Sequence, residues 1–174
     1  PWEHQALTRA RFCAGDPDIG RKFEAECAYI LQMPRDEEKL KRDVVDMRAK
    51  MLEGHPNCSA LFDIKQDRGG MVDIEFAVQK MVLSASREHP ELINNFGNTL
   101  LLEMTAKAGL IRETTSAQAV KAYRRYRDIQ REIRLGLGAE GGPVRVEPGL
   151  VCKEAEDVKA LWREVFGTDE PQRV

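Results

Sequence analysis

Lys65 and Arg68, followed at once by Gly69 and Gly70, form the grouping in this 174-residue chain best suited to chemistry. Arginine offers a planar fork to a phosphate and lysine a compact point charge. Two glycines leave backbone N–H groups uncrowded just ahead of the positive end of a helix, and together these features suit a bound phosphate. Asp73 and Glu75 follow in the first turns of that helix. The plainer alternative is a solvated turn, since Gly-Gly pairs with basic neighbours are common in turns.

The elements around this block are legible from composition. Leu61 to Ile64 is a short β-like run, and the residues from 71 to about 87 form a long apolar helix. At about 100° per residue, Met71, Val72, Ile74, Phe76, Val78, Met81, Val82 and Leu83 cover more than half the circumference. Such a helix belongs in the middle of a bundle. Asp73, Lys80 and Ser84 share a polar arc, whereas Glu75 and Gln79 fall within the apolar face. A carboxylate among Met71, Val72, Val78 and Val82 is costly without a partner. Two readings of Glu75 stand: a buried pair with an arginine such as Arg9 or Arg11, or an acid facing a cleft, which the resemblance described below makes an interdomain nucleotide site. Asp73, near a helix start, has the simpler role of satisfying N–H groups.

The remaining chain reads as helices divided by turn signals. A first helix spans about 2–13 and stops at Gly15-Asp16-Pro17-Asp18. Asp16 caps a second helix running through 32, with Pro17 in its first turn. Pro34 breaks that helix, and Asp36-Glu37-Glu38 opens a third that reaches about 52. After a turn at 94–98 come a helix over 99–108 and a long helix capped by Thr114 or Thr115 and ending near 137. Residues 138–149 form a loop or linker, and 153–166 the last helix. The expectation is an all-α bundle of about six to seven helices over 1–167, with one short strand or hairpin near 61–65 and a frayed tail over 168–174. Trp2 and Trp162 are expected as core anchors.

Composition narrows the function classes. The chain is 42% hydrophobic and 32% charged, with a net charge of −2, so no global field draws it to nucleic acid or anionic lipid. No apolar run approaches the roughly 20 residues that span a bilayer, and there is no basic-plus-apolar leader. The expected setting is the cytoplasm. Cys13, Cys27, Cys58 and Cys152 lack metal-like spacing and are expected as reduced thiols; no zinc or other metal site is expected. Arg124, Arg127, Arg131 and Arg134 recur at helical spacing opposite an apolar stripe of Ala122, Tyr126, Ile129, Ile133 and Leu137. They are either a solvated face or a docking strip for an acidic partner. Stacking aromatics are too few for nucleic acid.

Residues 61–79 closely resemble the corresponding block in the helical domains of the glutamine synthetase adenylyltransferase family. The stretch Trp2-Glu3-His4-Gln5-Ala6-Leu7-Thr8-Arg9-Ala10-Arg11, running on to Ala14-Gly15-Asp16, is similar to the segment that follows the nucleotidyltransferase core there. Several things follow from the resemblance. The parent enzyme moves AMP from ATP to a tyrosine of glutamine synthetase and removes it by phosphorolysis, using Mg²⁺. The loop faces the nucleotidyltransferase core, so Lys65, Arg68, Gly69, Gly70, Asp73, Glu75 and Glu3 are candidate nucleotide-cleft residues. Glutamine synthetase, the PII signal protein and the upstream core are the implied partners. The family's metal-holding Gly-Ser and Asp-x-Asp pattern is missing; Asp16-Pro17-Asp18 has no preceding Gly-Ser and reads as a helix cap. The catalytic carboxylates are therefore expected upstream, and the domain alone is expected to be inactive. Val72-Asp73-Ile74-Glu75-Phe76 looks more like the adenylylating, C-terminal half than the de-adenylylating one. A similar domain in the uridylyltransferases of PII is the alternative, and a non-catalytic module that only docks PII or glutamine synthetase is another.

Overall fold

The computed structural model describes residues 2–94, 96–137 and 142–167, with Trp2 and Leu137 described through their backbone alone. Among the described residues seven α-helices follow one another: α1 (Trp2–Leu7), α2 (Pro17–Leu31), α3 (Glu37–Gly54), α4 (Met71–Ala85), α5 (Asn98–Lys107), α6 (Glu113–Leu137) and α7 (Cys152–Phe166). Two short strands, β1 (Phe62–Asp63) and β2 (Arg145–Val146), complete the fold with two 3₁₀ turns. The architecture is a helical bundle. None of its helices is long and apolar enough to cross a membrane, among the described residues.

Local chemistry explains the helix starts. The Asp16 carboxylate accepts from the N–H groups of Asp18 and Ile19, and Pro17 fills the first helical position of α2. Asp36 caps α3 by accepting from Lys39 N–H. α4, apolar almost all round, lies at the centre: 12 of its 15 residues are buried. It packs against α3, α5, α6, α7 and α1. The stripe Ala119, Ala122, Tyr123, Tyr126 and Ile129 of α6 faces the same core. Trp162 anchors α7 with its ring 4.1 Å from that of Phe166. The expected anchoring by the Trp2 side chain, the burial of Leu137 and the tail at 168–174 lie outside the described residues.

Three expectations need revision. The first helix ends at Leu7, not near residue 13. Beyond it, Thr8, Arg9 and Ala10 donate to carbonyls three residues back, and the Thr8 hydroxyl also bonds to Gln5 O, which tightens and ends the helix. The Phe12 ring then folds onto Gly20 of α2, so closely that a Cβ there would lie 2.7 Å from it. Neither Thr114 nor Thr115 caps the long helix. That helix begins at Glu113, and the Thr115 hydroxyl donates to Glu164 of α7 at 2.6 Å. The short strand expected near 61–65 is present as β1, and its partner comes from far along the chain: β1 pairs antiparallel with β2, Phe62 opposite Val146 and Asp63 opposite Arg145. Residues 142–149 are thus no plain linker, because they return to cover the loop block; 138–141 lie outside the described residues. Thr115 and β2 both answer to partners about fifty or more residues away, which local signals cannot encode.

Candidate functional site

The loop between β1 and α4 is built from its own carboxylates. Asp63 Oδ1 accepts from the N–H groups of Lys65 and Gln66 at 2.9 and 3.0 Å, forming an Asx turn. Asp67 Oδ2 accepts from Asp63 N–H and from Asn57 Nδ2. Gly70 N–H closes a turn on Asp67 O at 2.8 Å, and Met71 N–H bonds to Ile64 O at 2.9 Å. At the helix start, Asp73 Oδ2 accepts from Gly69 N–H at 2.7 Å. Asp73 thus has the N–H-satisfying role expected of it, extended by a partner the sequence did not suggest. Arg48 of α3 is 1% exposed; it donates through Nε to Asp73 Oδ1 at 2.6 Å and through Nη2 to Gln66 O at 2.7 Å. From the other side, Tyr126 Oη donates to Gly69 O at 2.8 Å. Burial, reinforced by the negative charges of Glu154, Asp73 and Asp157, pushes the Tyr126 phenol well above its ordinary pKa, so it stays a neutral donor.

The glycine pair therefore has a different use from the one expected. Gly69 adopts φ +87°, and a Cβ on it would lie 2.6 Å from Ala155 O of α7. At Gly70 a Cβ would meet the carbonyl oxygens of Asp67 and Ile64 at 2.8 and 2.9 Å. Both positions are crowded, and the N–H groups of Gly69, Gly70, Met71, Val72 and Asp73 all have acceptors within the chain. The backbone of this loop holds itself. Of its two cations, Lys65 is exposed and Arg68 half-buried.

The carboxylates of α4 trade places relative to expectation. Asp73 and Lys80, assigned to a polar arc, are both buried, and Lys80 Nζ pairs with Glu37 Oε1 at 2.8 Å. That contact leads the causes that hold the Glu37 carboxyl below its ordinary pKa. Glu75, placed among apolar neighbours by angle, is only half-buried. It accepts from Tyr123 Oη at 3.4 Å; Tyr123 Oη accepts from Asn98 Nδ2 at 2.9 Å, and Asn98 Oδ1 accepts from Arg9 Nη1 at 2.7 Å. One turn on, Gln79 Oε1 accepts from Gln5 Nε2. Four segments thus meet in one polar chain that connects Arg9 to Glu75. Helical-wheel angle fails here because α4 is covered on nearly every side, so sharing a face does not decide what covers it.

Arg124, Arg127, Arg131 and Arg134 are exposed along α6. With Thr99, Tyr123, Asp128 and Gln130 they line a groove of about 580 Å³. A second groove of about 390 Å³ is lined by Lys65, Gln66, Asp63, His55, Arg145 and their neighbours, and also by Gln130 and Arg134. The loop and the arginine helix, separate in sequence, therefore share a wall. Tyr123, which lines the first groove, also contacts Glu75, although Glu75 itself lines neither groove. Glu3 is exposed on α1 and lines neither groove. Arg48 and the hydroxyl roles of Tyr123 and Tyr126 escaped the sequence reading, which placed Tyr126 only in the apolar stripe of α6. For Arg48 a signal existed: it follows Leu40 and Val44 at intervals of four, so it continues the buried stripe of α3.

Over 166 residues, 95% of its length, the chain is 52% identical to a bifunctional glutamine synthetase adenylyltransferase/adenylyl-removing enzyme of Burkholderia pseudomallei. It is homologous to a segment of that enzyme. Proteins of the same name from Bordetella bronchiseptica and Nitrosomonas eutropha match at 48% over 166 residues and 43% over 178 residues, covering 95% and 96% of the chain. The chain spans 18%, 17% and 19% of the length of these three relatives. No family model matches it. The segment shared with the adenylyltransferases includes the whole of the loop block and α6.

Proposed function

We propose that the chain is the helical partner of a nucleotidyltransferase core, in an enzyme that adds AMP to a tyrosine of glutamine synthetase and removes it by phosphorolysis. The observation that carries this reading is the 52% identity over 166 residues to a protein named for both activities. The wording at Val72–Phe76 favours the adenylylating half, and PII is a further partner under this reading. The work belongs to the cytoplasm.

In this reading the chain supplies positioning and charge, and the core supplies the reacting carboxylates. No group of three or more His, Cys, Asp or Glu among the described residues could hold a metal ion. Under this reading Mg²⁺ is held by carboxylates of the core. Lys65 and Arg68 belong to a loop fixed by α3, α6 and α7, and this reading sets them as cations beside the phosphates of ATP. Positioning and charge neutralisation dominate this class of transfer. Glu75, in contact with Tyr123, is assigned to the same cleft under this reading. The glycine N–H groups take no part, being spent inside the loop.

The test is adenylylation of glutamine synthetase by the chain joined to its upstream core, with Lys65→Ala, Arg68→Ala and Glu75→Gln made singly. A fall of roughly tenfold or more for a lost phosphate contact, with folding intact, is the expected result. Unchanged turnover in all three overturns the cleft role. A purely docking module is the second reading, favoured by the arginine groove; it predicts unchanged turnover with weakened partner binding.

A further inference from the structure

We propose that the two connected grooves along α6 form one docking channel for an extended acidic segment of a protein partner, with carboxylates at alternate residues. Six cations line the grooves: Lys65, Arg124, Arg127, Arg131, Arg134 and Arg145. Among the described residues the lining holds two carboxylates, and both are engaged. Asp128 accepts from Arg131 at 2.9 Å. Asp63 is spent on the loop N–H groups, with Arg145 Nε 3.8 Å away. A chain of net charge −2 thus concentrates uncompensated positive charge on one face.

The spacing selects the occupant. From Arg124 to Arg134 the helix rises about 15 Å at 1.5 Å per residue. An extended peptide covers that length in about five residues, and its same-side residues recur about every 6.6 Å. Successive arginines along α6 are separated by a rise of about 4.5–6 Å, within reach of such a ladder for a side chain as long as arginine. Guanidinium forks match carboxylates in pairs. A run of stacking rings of the kind single-stranded nucleic acid requires is missing among the described residues, since the two linings hold one tyrosine, Tyr123, which is buried, and one imidazole, His55. Such a segment would run toward Lys65 and so toward the transferred nucleotide; that last step rests on the proposed role of the loop, whereas binding in the channel does not.

The experiment uses the full chain without nucleotide and a labelled alternating Glu-Ser peptide of about ten residues. Fluorescence anisotropy at about 20 mM salt should show binding that weakens as salt screens it. The matching Gln-Ser peptide should not bind. Arg127→Glu/Arg134→Glu should weaken binding by roughly tenfold or more. Lys22→Glu/Arg42→Glu, an equal charge change on exposed positions of α2 and α3, should leave it unaltered. Equal loss in both double variants, no binding by the parent chain, or tighter binding of an oligonucleotide of similar length overturns the proposal. Because no ATP is present, this outcome is independent of the adenylylation test.

Discussion

Replacing Asp73 with alanine tests how the loop is held. The substitution removes both acceptors at once: Oδ1 from the Arg48 guanidinium and Oδ2 from Gly69 N–H. Arg48 is 1% exposed, so its charge would stay buried beside one remaining carbonyl bond, to Gln66. Breaking a buried ion pair from one side costs about 3–5 kcal/mol, and an orphaned buried N–H about 1–3 kcal/mol. The two losses share one side chain and do not fully add, so about 4–6 kcal/mol is expected. For a chain of this size each kcal/mol lowers Tm by about 2–4 °C, which implies a fall of about 10–20 °C. Glu75→Ala should cost about 1 kcal/mol or less, since its bond to Tyr123 is long, at 3.4 Å, and the site is half-buried. Urea melts followed by circular dichroism give both numbers. A cycle with Arg48→Met should show coupling of about 2 kcal/mol or more between residues 48 and 73. If Asp73→Ala costs less than Glu75→Ala, or the cycle is additive, the account of the loop is wrong.

Gly69→Ala should lower stability by at least about 2–3 kcal/mol, because alanine must adopt a positive φ and meet the Ala155 carbonyl; Gly136→Ala, with open space around it, serves as the tolerant control in the same melt. Glu164 supplies a pH prediction. Burial alone would raise its pKa, but bonds from Arg112 and Thr115 outweigh burial and leave the carboxyl below its ordinary value of 4.5. Its stabilising contribution is therefore present above 4.5 and lost as pH falls through the depressed folded value. Glu164→Gln should flatten the acid limb of a stability–pH curve in that window while neutral-pH stability drops; an acid limb identical to that of the parent would refute the assignment.

Much of the fold was readable because its signals are local. Asp16-Pro17 and Asp36 mark helix starts through bonds to residues two or three positions on, so the sequence carries both partners together. The same holds for α4, whose near-continuous apolar content already says that it lies in the middle. The loop block, a contiguous string, was likewise enough to point to the adenylyltransferases.

What the sequence could not decide is which distant group completes each local one. The strand at Phe62–Asp63 was visible, but its mate at Arg145–Val146 was hidden in a stretch that reads as linker. Asp73 was recognisable as a carboxylate that satisfies N–H groups, yet Arg48 reaches it only because α3 packs on α4. Gly69 and Gly70 look open in a linear reading; α7 and the loop carbonyls fill the space around them. Residue order by itself determined where most helices lie, the caps at Asp16 and Asp36 and the resemblance, because these rest on contiguous stretches of chain. The tertiary structure alone decided which acid is buried, where the glycine N–H groups are spent and that Lys65 shares a surface with the arginines of α6, because burial and pairing arise only when separate segments close around one another.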